Sequence, residues 1–201
     1  MKFKKIELAL IAGLLISIIF NVFSFAFSCK NVEKDVLRLH ILANSDSPFD
    51  QRLKIKVRDE ILKSGYDVFC GNENLEQAKR KIAQNLDVIR EIAQRTIEKN
   101  GCRYPVKIEF ENTFFETRHY NNFTLPAGEY EALKVVIGRG EGHNWWCVMF
   151  PPMCLSASDD IDDLKSLSEE EKKLILSDPD YEVRFKCVEI YEKIKKYLKN
   201  S

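Results

Sequence analysis

Thirteen consecutive residues hold much of what could do chemistry in this chain: Gly142-His143-Asn144-Trp145-Trp146-Cys147-Val148-Met149-Phe150-Pro151-Pro152-Met153-Cys154. Both tryptophans, two of the six cysteines, one of the three histidines and two of the six prolines fall there. Three chemistries suit such a set. Cys147 could be a nucleophile with His143 or His119 as its base, as in a cell-wall hydrolase. A thiolate needs a base, an orienting group and oxyanion donors together in space, and no local signature supplies them. His143, Cys147 and Cys154 could ligate zinc, but His143 and Cys147 are four apart, a spacing that aligns on a helix and not on a strand ending in Pro151-Pro152. A disulfide between Cys147 and Cys154 across that bend suits the residues better. The third chemistry is recognition. Adjacent tryptophans on a strand point to opposite sides, so one can enter the core while its neighbour faces outward as an interface anchor. Cover of both by the loop from Thr113 to Pro126 is equally compatible with the sequence.

The other polar clusters carry less. Asn44, Asp46 and Asp50 resemble the start of a calcium loop but lack its glycine and closing glutamate. They suit a capped turn better, with Ser47 as N-cap, Pro48 in the first helical position and Asp50 three residues after the cap. Gly138, Gly140 and Gly142 do not match the dinucleotide fingerprint, and no helix follows them. Neither a metal nor a cofactor is expected.

The elements that must position these residues follow from periodicity. Residues 36–42 alternate as a strand with one apolar face, with His40 on the other. Phe49, Leu53, Val57 and Ile61 predict an amphipathic helix closed by Gly65. Leu75, Ala78, Ile82, Leu86, Ile89, Ala93 and Ile97 predict one long helix from about residue 72 to residue 99. Residues 106–111 alternate as a strand. Residues 129–137 and 145–150 predict two more, joined as a hairpin by the glycine-rich turn. After an acidic stretch at 156–163, Ser168 and Glu171 cap a short helix, 177–180 break it, and a last helix carries Val183, Cys187, Ile190, Tyr191, Ile194 and Leu198. The expected fold is α+β: a small, mostly antiparallel sheet covered by two long amphipathic helices, plus a C-terminal helix.

At 201 residues, with 31 basic and 31 acidic side chains, the chain suits a single globular domain, and its balance gives no reason to expect a nucleic-acid partner. The N-terminus departs from that evenness. Lys2, Lys4 and Lys5 precede an uncharged apolar run from Leu8 to Phe27, the pattern of an export segment. Residues 1–28 therefore read as a signal peptide or a signal anchor, with 30–201 as one exported domain. Small residues at Ser24, Ala26 and Ser28 are spaced for cleavage after Ala26 or Ser28, and the run is also long enough to span a bilayer. Export permits disulfides among Cys70, Cys102, Cys147, Cys154 and Cys187, whose number is odd and whose spacing contains no C-x-x-C.

Two blocks together suggest a family. Residues 39–47 (LHILANSDS), Asp50-Gln51 and residues 53–59 (LKIKVRD), followed by 126–133 (PAGEYEAL), 138–142 and 144–154 (NWWCVMFPPMC), resemble the stage II sporulation protein R family of endospore-forming Firmicutes. The resemblance implies a signalling protein without chemistry of its own. Such a protein is exported from the forespore into the space between forespore and mother cell, where it activates a membrane-embedded aspartic protease that processes the precursor of the mother-cell sigma factor E. On that reading Trp145 and Trp146, with Asn44 and Asp46 of the capped turn, are the expected receptor contacts.

Overall fold

The structure, a computed structural model, describes residues 2–64, 74–120, 123–151, 167–176 and 182–199. Gly65, Cys70, Cys154, the acidic stretch at 156–163 and the breaker at 177–180 lie outside them. The elements in chain order are α1 (Lys2–Asp35), β1 (Leu37–Leu42), α2 (Pro48–Ser64), α3 (Leu75–Gln84), α4 (Leu86–Lys99), β2 (Val106–Phe115), β3 (Arg118–His119), β4 (Thr124–Leu125), β5 (Gly128–Ile137), β6 (Asn144–Phe150), α5 (Glu169–Ile175) and α6 (Glu182–Lys199). The class is α+β, as expected. The chain divides into two compact units, one of residues 33–114 and 129–168, the other of residues 1–32, 115–128 and 169–201.

The first unit holds a mixed four-stranded sheet in the order β2-β5-β1-β6. β1 pairs in parallel with β5, Leu39 opposite Leu133, and antiparallel with β6, Leu39 opposite Cys147. β5 and β6 are therefore not a closed hairpin, which corrects the sequence reading. The six residues between them carry the chain across the end of β1, which fills the gap. The turn is tied to the segment leaving β1: Gly142 N–H donates to Ala43 O at 3.0 Å, and Glu141 N–H donates to Asn44 O at 3.4 Å. Backbone groups that a hairpin would pair locally are paired with β1, about a hundred positions earlier in sequence.

One sheet face is the core. Leu37, Leu39 and Ile41 of β1, Leu133, Val135 and Ile137 of β5, and Met149 of β6 pack with Leu53, Val57 and Ile61 of α2 and Ile89, Ala93 and Ile97 of α4. Each such side chain contributes about 1.5–3 kcal/mol when fully buried. The period-two and period-four patterns that predicted these elements are the record of that burial. The single long helix expected to end at residue 99 is instead two, because Asn85 leaves the helical region at φ −113° and ψ 14°. Its N–H donates to Ile82 O at 3.0 Å, and its side-chain amide to Lys81 O at 2.7 Å. The apolar stripe keeps its steps across the break, so periodicity alone conceals it.

In the second unit, α1 lies with α6: the rings of Phe25 and Phe185 meet edge-on at 5.4 Å, and Lys30 pairs with Glu192 at 3.2 Å. A two-stranded ribbon of β3 and β4 belongs to the same unit, and Lys193 reaches Glu116 at 3.1 Å.

Candidate recognition site

The turn after β1 is built around a buried carboxylate. Ser47 caps α2, its Oγ accepting from Asp50 N–H at 3.1 Å, as the sequence predicts. Asp50 is only 3% exposed, and its Oδ2 accepts from Asn44 Nδ2 at 2.8 Å and Ser45 Oγ at 2.6 Å. Burial pushes this carboxyl up, yet hydrogen bonds from Ser45, Asn44, Tyr104 and Ser47 outweigh it and hold the group below its ordinary range. Asn44 uses its other end as well, its Oδ1 accepting from Arg139 N–H at 3.1 Å. A single amide thus joins the capped turn to the glycine-rich turn. Gly138, at φ +60°, lies so close that a β-carbon there would strike the Asn44 side chain.

A second contact anchors the start of that cysteine- and tryptophan-bearing stretch. Asp46 Oδ1 accepts from the backbone N–H of His143 at 2.6 Å and also faces ring Nδ1 of His143. An ionised carboxylate only accepts, so the ring nitrogen facing it carries a proton. The side-chain and backbone bonds from His143 hold the Asp46 carboxyl below its usual range. Lys54, nearly buried, donates to His143 O at 2.8 Å and Gln51 Oε1 at 2.6 Å. Burial lowers the Lys54 pKa, with Asp46 opposing the shift. Gln51 Nε2 closes the knot on Ser45 O at 3.0 Å.

From this knot β6 sets off beside β1, with Asn144 opposite Leu42, Trp145 opposite Ile41 and Trp146 opposite His40. The two tryptophans take opposite faces, as strand geometry requires, and both are half-buried. Trp145 packs against the core, with the Arg58 guanidinium 4.3 Å from its ring centroid. On the other face Trp146 meets His40 edge-on at 5.9 Å, and His40 Nε2 bonds Asn144 Oδ1 at 3.0 Å. Burial lowers the His40 pKa, with Lys134 and Arg38 acting the same way against the Asn144 bond and Glu111.

Of the four residues singled out by sequence, Asn44 is buried and turned inward, Asp46 is exposed at the knot, and the tryptophans flank the β1–β6 pair. Asp50, Lys54 and Arg58 complete the arrangement and were not among them. Their signal was present, a charged i, i+4 row beside the apolar row Phe49, Leu53, Val57 and Ile61, but a charged row on a helix ordinarily marks solvent.

Cys147 is held in a disulfide, so it offers no thiol to the Cys147/His143 pair or to a zinc site. Its partner lies outside the described residues, and Cys102 and Cys187 are free thiols. Among the described residues no three His, Cys, Asp or Glu side chains cluster as metal ligands. The chemistry left is hydrogen bonding and aromatic contact at an exposed edge of Asp46, His143 and Asn144, with Arg58 laid over Trp145.

Comparison with known proteins follows the same two blocks. The family model described as Stage II sporulation protein R matches residues 33–160. The chain is 39% identical over 142 residues to a protein named Stage II sporulation protein R from Bacillus subtilis (strain 168). That match takes in 71% of this chain and 62% of the relative, so it spans less than two thirds of the relative's length. No solved structure matches. The matched stretch runs from the end of α1 through the sheet, the turn knot and the tryptophan pair, and the chain belongs to the stage II sporulation protein R family.

Proposed function

We propose that the chain is an exported intercompartmental signal of endospore formation. Made in the forespore, it acts in the space between the forespore and mother-cell membranes. There it switches on a membrane-embedded aspartic protease that processes the precursor of the mother-cell sigma factor E. The observation that carries this reading is the convergence of residues 39–59 and 126–150, from the two family-like blocks, at one end of one sheet, where they lock into a hydrogen-bonded edge. Rigidity lowers the ordering cost of binding, and a half-buried tryptophan beneath an arginine is a suitable anchor. Membership of a sporulation family and an N-terminal apolar helix support the setting, and a disulfide at Cys147 fits an extracytoplasmic one.

The receptor is expected to contact Asp46, His143, Asn144, Arg58 and the exposed part of Trp145, with Trp146 supporting the strand from behind. The test is co-expression of the full chain with the protease and the sigma precursor in a host lacking all three. Precursor cleavage is expected only when all three are present. Equal cleavage without this chain would sink the proposal, as would processing of the precursor by this chain alone. In the same assay Cys147→Ser is expected to keep activity in the fraction that folds, whereas a nucleophilic role would abolish it.

A further inference from the structure

We infer that α1 is not removed after export but remains in the membrane as an anchor, because the residues a signal peptidase would cut are built into the folded unit at its outer end. Two parts of α1 behave differently. From Ile6 to Ser24 every side chain is exposed. At 1.5 Å per residue that stretch is about 28 Å of helix, close to the ~30 Å of a hydrocarbon core. An 18-residue window of α1 has a mean hydropathy of 2.4, and none of that window is buried. Lys2, Lys4 and Lys5 stand at its inner end, the side on which basic residues hold an anchor. A lipid bilayer is the occupant that suits this length, apolarity and charge.

Past Ser24 the helix changes character without breaking. Phe25, Cys29 and Val32 are buried, an i, i+4, i+7 stripe on one face. α6 accounts for part of that burial, through Phe185 against Phe25 and through the Lys30–Glu192 pair. Ala26 and Ser28, the small residues marking the cleavage positions, are half-buried between these contacts. Ser28 Oγ also donates to Ser24 O at 3.2 Å along the helix. Proteolysis needs backbone that is accessible and free of its hydrogen bonds, and here it is helical and packed. The helix continues to Asp35, seven residues beyond the later of the two cleavage positions. The segment that reads as a disposable leader is thus continuous with one that the fold uses. Cutting after Ala26 or Ser28 would remove Phe25 and leave Phe185 without its partner.

The test needs neither protease nor sigma precursor, so it stands apart from the signalling proposal. The full chain, tagged at its C-terminus, is expressed in a bacterium with an active signal peptidase, and its intact mass and fractionation are measured. A full-length chain that stays with membranes through alkaline carbonate extraction is expected. A product shortened by residues 1–26 or 1–28 and released to the soluble fraction overturns the inference. Phe185→Ala is expected to loosen the junction and raise the cleaved fraction several-fold, while Phe185→Leu keeps it low. If the wild-type chain stays whole and Phe185→Ala is cut no more than wild type, shielding by α6 is overturned as the cause.

Discussion

At the residue scale the molecule depends on a few small or polar side chains whose replacement costs more than their size suggests. A β-carbon on Gly142 would press into the Ser45 carbonyl, a backbone atom that cannot swing aside. Gly142→Ala is expected to lower stability by roughly 1–3 kcal/mol, read as a fall in thermal midpoint. Asp50→Ala leaves the Asn44 amide and Ser45 hydroxyl without their acceptor, and a loss of about 3 kcal/mol is expected in denaturant titration. His40 sets a pH dependence at milder acidity. Its folded pKa lies below the ordinary 6.5, so above that value the ring is neutral in both states and costs nothing. As pH falls through 6.5 the unfolded chain takes up the proton first. Stability is then lost until the lowered folded pKa is reached. Asp46, Asp50 and Glu111, whose pKa values are also lowered, contribute their losses only below about 4.5. A thermal midpoint lower at pH 5.5 than at pH 7.5, with the difference reduced in His40→Gln, is the expected result.

At the scale of elements, the sheet strands and the α2 and α4 stripes were legible because each has one face in the core and one outside it, and that contrast is what periodicity records. The Ser47 cap was legible for a related reason: capping is local chemistry. The split at Asn85 and the insertion of β1 between β5 and β6 were not. The first leaves the stripe unchanged, and the second depends on pairing between distant segments, where a glycine-rich turn serves either a closed hairpin or a wider crossing. The site divides along the same line. Its tryptophans and its turn stood out by composition, whereas Lys54 and Arg58 became part of it only when α2 was laid beside β6. α2 therefore carries both the scaffold and, through Arg58, the exposed edge. Arg58→Ala removes the cation over Trp145 without opening the core. It is expected to weaken the protease activation proposed above about tenfold, equivalent to about 1.4 kcal/mol, while the thermal midpoint changes little. A large fall in thermal midpoint would instead assign Arg58 to the scaffold.

At the scale of the whole molecule, the order β2-β5-β1-β6 has a consequence for how the chain assembles. β1 lies early in the chain, yet both its neighbours come late; His40 waits 104 residues for the Asn144 side chain it bonds. Contacts so distant along the chain form slowly, because a long loop must be closed before they repay its entropy. Under the proposed export, the chain therefore emerges with its central strand bare. Neither the turn knot nor the tryptophan pair can assemble until β6 joins β1. Stalling export before residue 144 is expected to leave β1 sensitive to protease from outside, and completing it to confer protection in one step. Under the export proposed above, the crossing of a single strand acts as a proof of delivery: the recognition edge comes into being only on the far side of the membrane, once nearly the entire message has arrived.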